Sequence, residues 1–255
     1  FFQSVVSNKF VYFGEYWYDN GGLPSILVNY LKTHELNIFE YLDKDKFLKV
    51  SSDDFKNPTA LTTINQNVLM CQTGYLTLRS DLNKTSTVAL GIPNGEIYKA
   101  LNRLLANNIF KGNTDITDDY GRSLLEVGTV DDIINLFNSA LNSVSYDNYP
   151  IVSESSVQNM LKLYLLGAHQ KVLSELHEAK GRADLVVNTD NRRIVFEFKY
   201  AKNETEAKSK LLDAVEQIKT RDYGNIVPNK TELLRIAAVF NADPKVRAFT
   251  EYQEV

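Results

Sequence analysis

Gly181-Arg182-Ala183-Asp184-Leu185-Val186-Val187, a polar turn from Asn188 to Arg193, then Ile194-Val195-Phe196-Glu197-Phe198-Lys199: this stretch decides how the chain is read. Two β-patterned segments joined by a turn carry Asp184 on one and Glu197 with Lys199 on the other. Side chains alternate faces along a strand, so residues two apart point the same way. Glu197 and Lys199 therefore share a face, while Val195, Phe196 and Phe198 can pack. A hairpin brings Asp184 near that pair. Two carboxylates and a lysine converging on one sheet edge can hold a divalent cation and steer a nucleophilic water. Ionised groups inside an apolar strand are costly to bury unless paired or bound to metal, and the rival reading is an exposed sheet face with a cross-strand ion pair.

Working outward, the order from Ile151 reads helix, three strands, helix, strand. Ser153-Glu154-Ser155-Ser156 caps a helix through about Gly167. Strands are predicted near Lys171–Glu178, Asp184–Asn188 and Arg193–Tyr200, a charged helix over Glu204–Thr220, and a buried strand at Leu234–Phe240. Tyr146 to Pro150 reads as a linker into this block.

Upstream, residues 14–49 look helical after Asn20-Gly21-Gly22, with Pro24 near a helix start. Asn57-Pro58-Thr59-Ala60 opens a second helix that ends near Gly74. Tyr75–Leu78 and Thr87–Leu90 read as strands, a winged-helix-like order. Helices follow over Asn94–Asn107 and Thr129–Val144. Thr129 with Asp131 and Asp132 is a good helix start, because an oxygen cap and an acidic first turn satisfy free amides and oppose the helix dipole. Between those helices, Lys111 to Arg122 is polar and reads as a loop.

The whole chain sets bounds on function. Its 255 residues are long enough for two domains or one large one, and no apolar run approaches the roughly 20 residues that span a bilayer. The opening Phe1-Phe2-Gln3-Ser4 has neither the basic flank nor the cleavage site of a signal peptide. It also lacks an initiator Met, so the chain is expected to start inside a longer protein. Cys71 alone cannot form an intrachain disulfide and fits a reducing, cytoplasmic setting. His34, His169 and His177 are isolated from one another, against a structural zinc site. Net charge is −4, and the acidity is N-terminal: residues 1–149 carry 12 Lys and Arg against 17 Asp and Glu, residues 150–255 carry 16 against 15. The C-terminal part is near neutral, and that balance permits DNA binding.

The block from Ile151 resembles the PD-(D/E)XK nuclease superfamily, whose core is helix–three strands–helix–strand. It is similar in particular to a bacterial family that couples such a domain to an AAA-ATPase-like region. The residues that carry this are Glu154 with Gln158, the Gly181–Val186 and Ile194–Lys199 stretches quoted above, and Ala214-Val215-Glu216-Gln217-Ile218-Lys219 with Tyr223. Tyr16-Trp17 before Gly21-Gly22-Leu23-Pro24, and Gln72-Thr73-Gly74-Tyr75-Leu76-Thr77, extend it to almost the whole chain. The resemblance implies an α/β restriction-endonuclease-like domain at 150–255, a helical connector at 96–149, and an AAA-ATPase-like lid or winged-helix-like region at 1–95. The chain has no G-x-x-x-x-G-K-[ST] loop, so ATP binding is not expected.

For activity, the resemblance implies Mg²⁺- or Mn²⁺-dependent hydrolysis of phosphodiester bonds, in DNA first of all. Asp184 and Glu197 are the expected metal ligands, with the Phe198 backbone carbonyl as a further one, and Lys199 positions the attacking water. A depressed lysine pKa beside the cation fits that role. A first-helix glutamate, Glu154, either completes the acidic site or only favours the helix dipole. Gln217 either faces the site or is a surface amide. Arg182 and Tyr223 are candidate phosphate contacts, and Glu175 is a further carboxylate. His169, His177, Trp17, Tyr16 and Tyr18 read as surface or core residues. The alternative function is a catalytically silent nuclease-fold scaffold that binds protein or nucleic acid, with the N-terminal region as a surface for a protein partner.

Overall fold

The computed structural model describes residues 25–34, 36–57, 60–79, 86–110, 119–168, 171–178, 181–221 and 232–255, with the backbone alone at 119–120, 171, 173–178 and 181–182. Trp17, Tyr16, Tyr18, Gly21, Gly22, Leu23, Pro24, His169 and Tyr223 lie outside the described residues. The chain divides into two units, 1–104 and 105–255, at a point inside one helix.

The first unit holds helices α1 (Ser25–Leu31), α2 (Ser52–Lys56) and α3 (Gln66–Gln72), strands β1 (Leu48–Ser51), β2 (Thr77–Leu78) and β3 (Thr87–Gly91), and the start of α4 (Gly95–Ile109). The strands form an antiparallel sheet in the order β1-β3-β2, with Leu48 opposite Leu90 and Val50 opposite Val88. The helical reading of 14–49 is corrected here: only Ser25–Leu31 and a short 3-10 turn at Ile38–Tyr41 are helical among its described residues. Leu48-Lys49-Val50-Ser51 buries alternate side chains, and that period of two belongs to a strand. The helix read from Asn57 is also displaced. Asn57 is extended at ψ 106°, as steric clash with a following proline favours, and ends α2. The next helix starts eight residues later, where the Asn65 side chain accepts the Asn67 amide. Gly74, at φ 86°, follows α3 in the left-handed conformation that glycine adopts without Cβ strain.

The second unit contains α5 (Asp119–Val127), α6 (Val130–Asn142), α7 (Glu154–Gly167), β4 (Lys171–Glu178), β5 (Gly181–Asn188), β6 (Arg192–Ala201), α8 (Glu204–Arg221), β7 (Glu232–Asn241) and β8 (Ala248–Glu254). The helix–three strands–helix–strand order read from the sequence is present as α7-β4-β5-β6-α8-β7, a mixed α/β unit consistent with a restriction-endonuclease-like fold. The sheet order is β4-β5-β6-β7-β8, antiparallel except for the parallel pair β6–β7 that α8 connects. Two elements were not expected. Helix α5 begins inside the polar stretch read as a loop, and β8 adds an edge strand whose polar, half-exposed side chains hide its period.

Capping starts the helices where the sequence placed them. Thr129 and Asp132 form a reciprocal capping box on α6, and Ser153 with Ser156 forms one on α7. One face of the sheet is aromatic. Phe196 and Phe198 stack at 5.5 Å, Phe137 of α6 meets Phe196 at 5.3 Å, and Phe249 joins Phe198 to Phe240. The other face packs Ala183, Val186, Val195 and Ala237 against Ala214, Val215 and Ile218 of α8. Strand β6, in the middle of the five, is buried on both sides.

Candidate active site

Alternation along β6 puts Glu197 and Lys199 on the Val195 face, opposite the stacked phenylalanines. The expectation of a sheet edge is corrected: β6 is the central strand, and Glu197 is 0% exposed. An exposed face with a solvated ion pair is thereby excluded for Glu197. A carboxyl buried there has to find partners or give up its charge.

Lys199 is one partner. Its Nζ donates to Glu197 Oε1 at 2.7 Å and lies 3.6 Å from Glu154 Oε1. Glu154 is the first residue of α7, so its carboxylate both favours the helix dipole and reaches the lysine. The two readings of Glu154 are compatible.

Asp184 lies on β5 one residue beyond the end of the pairing with β6. The β4–β5 register runs from Lys171↔Asn188 to Ser174↔Leu185 and resumes at Leu176↔Ala183, while the β5–β6 register ends at Leu185↔Phe196. Asp184 falls between the first two and just beyond the third. Side chains take over at that point. The Phe198 amide donates to Asp184 Oδ2 at 2.8 Å, and the Gln158 side-chain amide of α7 donates to the Asp184 carbonyl. Amide and carbonyl of one strand residue point to the same side, so the Phe198 carbonyl is also directed toward β5.

The electrostatics follow from burial. Burial first, and the neighbouring Asp184 charge second, push Glu197 up to about 7 despite the hydrogen bond from Lys199. Burial pulls the Lys199 ammonium down, but Glu197, Glu154 and Asp184 more than offset it, and its pKa is raised. Two of those carboxylates, Glu197 and Glu154, are within ion-pair distance of this one cation.

Among the described residues, Glu197 Oε2 has no hydrogen-bond partner. An orphaned, buried carboxylate oxygen beside a second carboxylate fits a divalent cation, whose hard charge takes oxygen ligands. No three His, Cys, Asp or Glu side chains among the described residues cage an ion by themselves. Such an ion would be held by Asp184 and Glu197 and would complete its shell with main-chain oxygen, water and substrate, the habit of Mg²⁺.

The remaining candidates divide. Gln217 is half-buried on α8, the helix that covers this face. Glu175 and His177 of β4 and Arg182 of β5 lie where the backbone alone is described. Gln158 carries the resemblance at the sequence level without an assigned role. Its spacing of four from Glu154, about one helical turn, is the signal that places both on one side of α7.

Residues 152–250, from just before α7 into β8, match the family model of the PD-(D/E)XK nuclease superfamily. Nucleases of that superfamily usually hydrolyse phosphodiester bonds and typically use divalent metals such as Mg²⁺. No curated protein matches the chain. Among the described residues no helix is long and apolar enough to cross a membrane.

Proposed function

We propose that this chain is a divalent-metal-dependent nuclease that hydrolyses phosphodiester bonds in DNA, with its chemistry on Asp184, Glu197 and Lys199. The observation that carries the reading is the buried Glu197 carboxyl, with one oxygen bonded to Lys199 and the other orphaned next to Asp184. The superfamily match over the same residues supports it.

Mg²⁺ or Mn²⁺ held by Asp184 and Glu197, with the Phe198 carbonyl as a further ligand, would supply charge neutralisation at the scissile phosphate and a lowered water pKa. The protein groups do the positioning. The Phe198 amide and the Gln158 side chain fix Asp184 at its carboxylate and its carbonyl. Lys199, whose charged form the neighbouring carboxylates favour, orients the attacking water through Nζ and offsets phosphate charge. Glu154 holds the lysine from the α7 side, and Gln217, half-buried on α8, is the further residue assigned to the substrate.

Plasmid and single-stranded DNA incubated with the chain and Mg²⁺ or Mn²⁺ test this directly. Cleavage is expected from the unaltered chain and not from Lys199→Ala or Glu197→Gln. Cleavage that persists in both variants overturns the site. No cleavage by any of them, with no Mn²⁺ effect on melting, leaves the fold as a binding scaffold.

A further inference from the structure

We infer that Arg247, in the turn between β7 and β8, is a binding residue for a DNA backbone phosphate flanking the scissile one. This rests on the nuclease reading above.

Arg247 is held in place at a cost. Its φ is 44°, in the left-handed region that is strained for a non-glycine residue. The turn around it is tied down: the Asn241 side chain accepts the Asp243 amide, the Asp243 side chain accepts the Lys245 amide, and the Arg247 amide donates to the Asp243 carbonyl. The guanidinium carbon lies over the Tyr146 ring, 3.5 Å from its centroid. Tyr146 is itself anchored, its hydroxyl donating to the Ile151 carbonyl at 2.9 Å.

Other arginines of this unit have structural partners. Arg192 bonds Glu232 and the Gly128 carbonyl, and Arg122 meets Glu126 and Asp190. Among the described residues no carboxylate pairs with the Arg247 guanidinium, and its buried Nε has no hydrogen-bond partner. A pre-oriented planar cation, set over an aromatic ring and lacking a protein anion, matches a phosphate.

Its place on the sheet matches too. Lys199 pairs with Val239, Ala201 with Asn241, and Asn241 with Ala248, so the turn closes the end of the sheet toward which Lys199 lies. Tyr146 acts electrostatically on Tyr200, which stacks on Phe240 on the face of β6 opposite Lys199, so Arg247 and Tyr146 stand at the same end of the sheet on its aromatic side. Ile151, which holds the Tyr146 hydroxyl, precedes Glu154, the Lys199 partner, by three residues. A DNA strand with its scissile phosphate at Lys199 that crosses this end of the sheet meets Arg247.

Fluorescence anisotropy with labelled single-stranded and duplex oligonucleotides in Ca²⁺, over a salt series, tests the assignment, using the full chain, Arg247→Gln and Arg247→Lys. Arg247→Gln is expected to bind several-fold more weakly, with a salt slope shallower by about 0.7 for single strands or about 0.9 for duplex. Arg247→Lys restores the slope but not the full affinity. An unchanged slope in Arg247→Gln, with melting lowered, marks a packing residue and overturns the inference while leaving the nuclease reading intact. If the unaltered chain cleaves DNA yet Arg247→Gln binds as it does, the inference alone fails; if the unaltered chain neither binds nor cleaves, both fail.

Discussion

Lys199 Nζ and Glu197 Oε1, two residues apart on one face of β6, are joined by a 2.7 Å hydrogen bond whose carboxylate is entirely shielded from water. Breaking such a pair by removing one partner costs about 3–5 kcal/mol, because the other charge is left buried; replacing both by apolar groups is often neutral or stabilising. Lys199→Met should therefore destabilise strongly at pH 8 and much less at pH 5, where Glu197 is protonated. The double variant Lys199→Met with Glu197→Leu should return close to the original stability. Urea unfolding of the four proteins checks this. Additive losses in the double variant would show that the two groups are not coupled.

The pH dependence has a definite sign. The Glu197 carboxyl is raised from 4.5 to about 7 in the fold, chiefly by burial and then by Asp184. Between those values the unfolded chain has released the proton and the folded chain retains it. Stability from this group therefore falls as pH rises through that window, and the penalty is complete above it. In EDTA, melting temperature should drop from pH 5 to pH 8 more steeply for the unaltered chain than for Glu197→Gln. Mn²⁺ at pH 8 should recover the difference in the unaltered chain only. Parallel profiles would rule out a raised carboxyl at this position.

Gln158 supplies a hydrogen bond to the Asp184 carbonyl where the strand pairing lapses. Gln158→Leu should cost about 1 kcal/mol of stability through that lost bond. The larger effect should fall on metal binding, since support of a ligating carboxylate is worth roughly 10–100-fold in affinity. Calorimetric Mn²⁺ titration against unfolding separates the two. A stability loss with unchanged Mn²⁺ affinity would make Gln158 a packing residue only.

Ser153 caps α7 and so fixes where Glu154 begins the helix. Ser153→Ala should lower stability by about 1 kcal/mol and Ser153→Asp should keep it, because either oxygen accepts a free amide of the first turn. Denaturant midpoints decide this. Equal midpoints for both variants would mean that the Ser156 hydroxyl, which already takes the Val152 and Ser153 amides, carries the cap alone.

The chemistry-bearing strand was legible because its signals are local. Glu197 and Lys199 interrupt an apolar run at a spacing of two, and Asp184 opens the neighbouring run, so a hairpin alone brings them together. Helix starts at Thr129 and Ser153 were legible for the same reason, since a cap acts within one turn. Where a local signal had two meanings the reading slipped. Pro58 marks the extended residue before it as readily as a helix start, and Leu48–Ser51 shows its period of two only over four residues. Strand β8 and Arg247 carry almost no local signal, because an edge strand need not be apolar and a phosphate-facing arginine looks like any surface charge.

The sequence by itself determined the helix–three strands–helix–strand order from α7 to β7 and the identity of the three charged side chains on two adjoining strands. Both follow from side-chain period and capping, which reach only a few residues. Tertiary structure decided that β6 is central rather than an edge, because parallel pairing with β7 through α8 and the addition of β8 are long-range events. That burial, in turn, raises the Glu197 carboxyl, sets Lys199 against Glu197 and Glu154, and leaves Glu197 Oε2 without a hydrogen-bond partner among the described residues. Desolvation depends on everything packed around a group, and no stretch of sequence contains it.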